Sequence, residues 1–187
     1  MKSTSLLAGI VIGLVLTPFI VYLYVAFGRV PVSTFDPELP FESTIAAKAV
    51  SARISREMAA RSPIPATESN LQAGARVYRN NCAVCHGLPG ANPPAMTVGM
   101  YPPPPQLFHG KGVTDDPVGV TYWKIENGIR LTGMPGFRET LSTDQMWEVT
   151  LLVWQADKLP PSVLEILQAP EASKTAAAPQ SAPAKKR

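Results

Sequence analysis

The chain has 187 residues, of which 45% are hydrophobic and 17% charged. This length allows one modest domain with appendages. The formal net charge is +3, and residues 66–168 carry seven basic and nine acidic side chains, so the basic excess lies outside this region. The charge distribution therefore does not predict a nucleic-acid-binding surface.

A long apolar segment lies near the N-terminus. Leu6 to Phe27 is a run of 22 residues without a charge. At a rise of about 1.5 Å per residue, such a helix crosses a hydrocarbon core of roughly 30 Å. A cleaved signal peptide is the alternative, but it has a shorter apolar core and a small-x-small cleavage site, which Ala26-Phe27-Gly28 matches poorly. We therefore predict a transmembrane anchor over residues 1–28.

Residues 29–65 are predicted to connect this anchor to a folded domain. Val30 to Glu42 contains three prolines and is predicted to be an extended stalk. Ser43 to Arg61 is predicted to be a helix capped by Ser43, because its apolar residues recur at spacings of three and four. The helix has a basic character and is either a solvated spacer or an arm that docks on a membrane partner or on anionic lipid.

Residues 66–168 are predicted to form the folded domain, with helices over 67–81, 120–128 and 141–157. Gly74 and Tyr78 share one face of the first helix, so we expect the last helix to cross it closely at Gly74. The chain from Ala169 to Arg187 is rich in Ala, Pro and Lys, and is predicted to be a disordered tail.

The segment between the first two helices of this domain has an unusual composition. It contains six prolines between positions 93 and 105, and six glycines between positions 87 and 119. This composition predicts a long irregular loop over Gly87 to Thr121. A loop of this length inside a compact domain usually has a functional reason, and enclosing a flat cofactor is such a reason.

Both cysteines of the chain lie in the run Cys82-Ala83-Val84-Cys85-His86. This C-x-x-C-H spacing is typical of c-type haem attachment, since the two thiols add to the vinyl groups of a haem and the following imidazole reaches its iron. A dithiol redox site is an alternative, but no strand–helix–strand pattern surrounds the motif. A zinc site is another, but the second histidine, His109, is far from the motif and finger-like spacing is lacking.

A second axial ligand for such an iron is predicted at Met134, within Gly-Met-Pro-Gly-Phe. A thioether suits iron, and His/Met ligation raises the reduction potential, which favours electron transfer over oxygen chemistry. Met96 and Met100 are also loop methionines, but they are close to His86 in sequence. His109 is the rival ligand and would produce a bis-histidine site of lower potential.

Further residues are predicted to surround the haem. The run from Tyr101 to Phe108, which includes Leu107, is expected to form one wall, with a proline carbonyl holding the ring nitrogen of His86. Trp123, Arg130 and Tyr101 are candidates for contact with the haem propionates.

The chain resembles a class I cytochrome c in four motifs that occur in order. These are the haem motif at 82–86, Pro-Gln-Leu at 105–107, Asn-Gly-Ile at 127–129 and Gly-Met-Pro-Gly-Phe at 133–137. The resemblance covers roughly Glu68 to Asp157. It implies an all-α fold with crossed terminal helices around one haem c that is bound covalently to Cys82 and Cys85. It also implies His86 and Met134 as axial ligands, with Pro105 supporting His86. The long loop between His86 and Pro105 departs from the family pattern.

The resemblance also implies a function and a location. Haem attachment outside the cytoplasm would place the domain in the periplasm, with the N-terminus in the cytoplasm and the anchor in the inner membrane. We expect a one-electron carrier between respiratory or related complexes, without a catalytic residue. The alternatives are a haem c subunit of a larger oxidase or dehydrogenase, and a catalytic or ligand-sensing haem from which Met134 dissociates.

Overall fold

The computed structural model describes residues 2–170, which form two compact units divided between Ser51 and Ala52. Within these residues the chain is helical and contains no strand, which confirms the predicted all-α class. Residues 171–187 of the predicted tail lie outside the described part. The helices are α1 (Lys2–Phe27), α2 (Glu42–Glu57), α3 (Glu68–Asn81), α4 (Ala83–His86), α5 (Val118–Asn127), α6 (Thr143–Trp154) and α7 (Pro161–Gln168), with a 3-10 turn at Ala95–Gly99.

The first unit consists of α1, the following segment and the first part of α2. Helix α1 is long and apolar enough over Thr4–Phe27 to cross a membrane. The segment that follows was expected to be extended, but side-chain carboxylates form turns in it. Asp36 accepts hydrogen bonds from the backbone N–H groups of Val32 and Ser33, at 3.1 and 3.0 Å.

Helix α2 differs from its predicted extent at both ends. It begins at Glu42, so Ser43 lies inside the helix and is not its cap. The Glu42 carboxylate accepts a hydrogen bond from the Leu39 N–H at 2.8 Å. The helix ends at Glu57, four residues before the predicted end at Arg61.

The C-terminal part of α2 and the residues after it pack within the second unit. Ile54 is buried, and the Trp123 indole N–H donates to the Glu57 carboxylate at 3.0 Å. Gly119 lies so close to the Ala59 backbone that a Cβ at Gly119 would overlap the Ala59 carbonyl oxygen. The division between the two compact units therefore lies within α2.

Helices α3 and α6 form the crossed pair at the centre of the second unit. Thr67 caps α3 by accepting from the Asn70 N–H, and Ser142 and Gln145 form a capping box at the start of α6. At Gly74 an added Cβ would overlap the Glu148 carbonyl oxygen and lie 2.7 Å from its carbonyl carbon. This contact confirms the predicted crossing at Gly74.

Helix α7 was not predicted from the sequence, and it packs on α3. Its apolar residues Val163 and Leu167 are fully buried. The Arg79 guanidinium Nη1 donates to the carbonyl oxygens of Ile166, Leu167 and Ala169, at 3.0, 2.6 and 2.7 Å. These carbonyls lack hydrogen-bond donors within the helix. The Arg79 side chain supplies donors to them and so caps the C-terminal end of α7.

Replacement of Arg79 by methionine tests this contact. We expect the free energy of unfolding to fall by about 1–3 kcal/mol, because hydrogen bonds from a charged donor to three carbonyl groups are lost. Guanidinium unfolding followed by tryptophan fluorescence measures the change. Arg76 is exposed on the same helix, so Arg76→Met should change the value by less than about 0.5 kcal/mol. Equal losses in both variants would contradict the capping role.

Candidate haem site

The cysteine–histidine motif forms one helical turn directly after α3. The Cys82 N–H donates to the Tyr78 carbonyl at 2.8 Å and ends α3. The Cys85 and His86 N–H groups both donate to the Cys82 carbonyl, at 3.1 and 2.9 Å. The two thiols and the imidazole are therefore presented from a single turn, as C-x-x-C-H attachment of haem requires.

The buried Tyr78 side chain fixes Gly87, the residue that follows this turn. Its hydroxyl donates to the Gly87 carbonyl at 2.8 Å, and Gly87 has φ +71°, a conformation that favours glycine. Burial raises the pKa of the Tyr78 hydroxyl, so this group remains a donor at physiological pH.

The His86 imidazole is oriented by the loop that follows it. Its Nδ1 lies 2.7 Å from the Pro105 carbonyl oxygen. A carbonyl only accepts, so Nδ1 carries the proton in this hydrogen bond and Nε2 keeps its lone pair. This tautomer is the one that binds a metal through Nε2.

A cleft brings the motif together with the second predicted ligand. Cys82, Cys85 and His86 line it, and so does Met134, although 48 residues separate His86 from Met134. The rest of the lining is mainly apolar and includes Pro102–Pro105, Leu107, Ile125, Val149 and Val153. The structure therefore collects two thiols, an imidazole and a thioether around one apolar space.

Backbone hydrogen bonds fix the loop that carries Met134. The Ile129 N–H donates to the Met134 carbonyl at 3.2 Å, and the Met134 N–H donates to the Thr132 hydroxyl oxygen at 3.2 Å. Gly128, with φ +67°, ends α5, and a Cβ there would lie 2.5 Å from the Gly136 nitrogen. The loop thus folds back tightly on the end of α5.

The environment of Cys82 disfavours a reactive dithiol. Burial raises the pKa of the Cys82 thiol to about 12, and the neighbouring Cys85 also raises it. Reactive dithiols require a lowered pKa, because the thiolate is the nucleophile. At neutral pH Cys82 is therefore a protonated thiol.

The structure brings only some of the other predicted pocket residues to the cleft. Leu107 lines it, whereas Tyr101, Trp123 and Arg130 do not. The indole of Trp123 is bonded to Glu57, and Arg130 is exposed. Contact of these three residues with the haem propionates stays a prediction.

Of the three rival ligands, two lie outside the cleft and one lines it. His109 and Met96 are exposed and do not line the cleft. Met100 does line it, although its short distance from His86 in sequence argued against Met100 as the ligand.

Two cleft residues of α5 were missed from the sequence. Thr121 and Lys124 line the cleft from the same face of α5 as Ile125, a spacing of three and four that was visible in the sequence. The Thr121 hydroxyl oxygen is buried and has no hydrogen-bond partner among the described residues. Most buried hydroxyl groups have a hydrogen-bond partner, and a group bound in the cleft is one source of such a partner.

The residues present fit a covalently bound haem. Two thiols next to an imidazole whose Nε2 is unprotonated, a thioether in the same cleft, an apolar lining and an orphaned hydroxyl match a flat apolar macrocycle that has polar edges and a central iron. The helical fold and this cleft define a class I cytochrome c domain.

Comparison with known families agrees with this class. Residues 69–152 match the family model described as cytochrome C oxidase, cbb3-type, subunit III, which is a monohaem c-type cytochrome domain. The match supports a class I cytochrome c domain in this region and a c-type haem electron-transfer protein. Curated proteins and solved structures give no match.

Proposed function

We propose that the chain is a membrane-anchored one-electron carrier. In this proposal Cys82 and Cys85 hold one haem c covalently, and His86 and Met134 are its axial ligands. The observation that carries the proposal is the single cleft lined by all four side chains. The haem iron, when bound, supplies the one-electron couple.

The chain's own residues set the conditions for this couple. Pro105 holds His86 in the tautomer whose Nε2 is free to bind iron. Met134 supplies a neutral sulfur donor, and the apolar lining disfavours the additional charge of the oxidised state, so both raise the reduction potential. The proposed activity requires no general acid, base or nucleophile, and for this reason we propose a carrier and not an enzyme.

The location follows from the anchor and from the chemistry of attachment. We place α1 in the inner membrane and the haem domain in the periplasm, with the N-terminus in the cytoplasm. The apolar span at Thr4–Phe27 supports the anchoring. The description of the matched family, a subunit of an oxidase, supports a respiratory complex as the redox partner. The chain then acts either as a tethered carrier or as a haem subunit of such a complex.

Deletion of the anchor tests this part of the proposal. We expect a chain that lacks residues 1–28, fused to a cleavable export signal, to be recovered as a soluble periplasmic protein with covalent haem. Haem staining of membrane and soluble fractions after denaturing electrophoresis measures both properties. The full-length chain expressed from the same promoter is the control and should remain in the membrane fraction. Loss of haem from the truncated chain would show that α1 does more than tether the domain.

Purification from membranes distinguishes the carrier from the subunit. A subunit should co-purify with a larger complex in mild detergent at a fixed ratio, whereas a tethered carrier should separate from its partners as salt is raised.

Carbon monoxide distinguishes both from a ligand-sensing haem. We expect little binding to the reduced protein, because Met134 as the proposed second iron ligand would block it. Ready binding of carbon monoxide would favour the ligand-sensing alternative.

A further inference from the structure

Met100 is brought to the haem cleft by the loop that departs from the family pattern. The 3-10 turn at Ala95–Gly99 ends at Met100, whose N–H donates to the Thr97 carbonyl at 3.2 Å. Thr97 is buried, and its hydroxyl donates to the Pro94 carbonyl at 2.7 Å. Val98, two residues before Met100, is 80% exposed. The turn therefore directs one thioether to the cleft and leaves its apolar neighbour outside.

The tip of Met100 lies directly against the loop that carries Met134. A Cβ added to Gly133 would overlap the Met100 Cε and lie 3.9 Å from its Sδ. The Met100 methyl thus lies where a side chain at Gly133 would be, one residue before the proposed iron ligand. Gly133 is exposed overall and does not adopt a positive φ, so a side chain at this position would meet only the Met100 methyl, which would have to move away.

The outer side of the same loop has little packing. Leu131 is 92% exposed and has φ +63°, a conformation that is strained for a non-glycine residue. The two hydrogen bonds to Met134 are both local, from within residues 129–134. The C-terminal part of the loop is held on α5, where the Phe137 N–H donates to the Ile125 carbonyl at 2.9 Å. Met100 belongs to a separate segment and contacts the loop at Gly133, on the N-terminal side of Met134.

We propose that Met100 is a positioning residue for Met134. Its side chain covers Gly133, holds the ligand loop closed against the cleft and thereby limits dissociation of the Met134 sulfur from iron. The role depends on the shape of the side chain and not on its sulfur. This inference rests on the proposed ligation by Met134.

Substitution of Met100 in the full-length, haem-loaded protein in detergent is the first test. We expect Met100→Ala to increase the rate of carbon monoxide binding to the reduced protein by about tenfold, because the truncated side chain leaves space beside Gly133. The far-red sulfur-to-iron absorption of the oxidised protein should also be lost at lower pH than in the unaltered protein. Met100→Leu should keep both properties within about twofold, since leucine is of similar volume.

The reciprocal test adds a methyl group to the other partner of the contact. We expect Gly133→Ala alone to accelerate carbon monoxide binding, because its Cβ meets the Met100 methyl. The double variant Gly133→Ala/Met100→Ala should bind carbon monoxide more slowly than either single variant, since the new methyl fills the space that the truncation creates. If Met100→Ala alone fails to accumulate with haem, the comparison of Gly133→Ala with the double variant still tests the contact.

Each outcome either supports or overturns the inference. Unchanged carbon monoxide binding in Met100→Ala would overturn it, as would an equal acceleration in Met100→Leu or additive effects in the double variant. Met96→Ala, at an exposed methionine of the same turn, is the control and should behave as the unaltered protein. Met134→Ala separates this inference from the proposed ligation. If it loses the sulfur-to-iron absorption while Met100→Ala does not change, only the role of Met100 fails.

Discussion

Met134→Ala is expected to abolish the sulfur-to-iron absorption of the oxidised protein and to lower its reduction potential substantially. A neutral thioether stabilises reduced iron, and its replacement by water or by a harder ligand favours the oxidised state. We expect a fall of at least about 120 mV, which is a hundredfold change in a one-electron equilibrium. Optical redox titration of the full-length protein in detergent measures the potential, and the far-red spectrum reports the ligand.

Two variants serve as controls for this experiment. His109 and Met96 are exposed and lie outside the cleft, so His109→Ala and Met96→Ala should leave both spectrum and potential unchanged. Loss of the absorption in Met134→Ala should be accompanied by binding of carbon monoxide to the reduced protein, because the sixth position becomes available. An unchanged spectrum and potential in Met134→Ala would refute the ligand assignment, and a changed spectrum in His109→Ala would favour a bis-histidine site.

The parts of the site that are contiguous in sequence were predictable. Cys82, Cys85 and His86 occupy one helical turn, so their spacing alone determines how they are presented. The crossing of α3 and α6 was also predictable, because Gly74 and Tyr78 lie on one helix face and only a small residue allows close approach there. In both cases the local periodicity of a helix carries the information.

The parts that depend on long-range contacts were not predictable in the same way. Trp123 and Arg130 were chosen as haem contacts by residue type, whereas the register of α5 directs Thr121, Lys124 and Ile125 to the cleft. Trp123 lies instead against Glu57, a residue 66 positions away. Helix α7 is only eight residues long and has a charged cap supplied by α3. Such short helices are stabilised by tertiary contacts, and the helix propensities of their residues do not reveal those contacts.

The close crossing of α3 and α6 at Gly74 predicts a large loss of stability when a side chain is added at this position. Gly74→Ala should lower the free energy of unfolding by about 3 kcal/mol, because the added Cβ meets the Glu148 backbone, which cannot move without separating α6 from α3. The sign of this change in the free energy of unfolding is informative. In an open helix, glycine to alanine stabilises by roughly 0.5–1 kcal/mol, so destabilisation shows that the space is occupied.

Guanidinium unfolding of the haem-loaded protein, followed by haem absorption and tryptophan fluorescence, measures the effect of Gly74→Ala. Gly99→Ala is the matched control, because a Cβ at Gly99 meets nothing within 4 Å. We expect the control to change the unfolding free energy by less than about 0.5 kcal/mol. Helix α3 leads directly into the Cys82 turn, and Val149 and Val153 of α6 line the cleft. Separation of the two helices should therefore also increase the rate of carbon monoxide binding, and a stable Gly74→Ala protein with unaltered binding would contradict the close crossing.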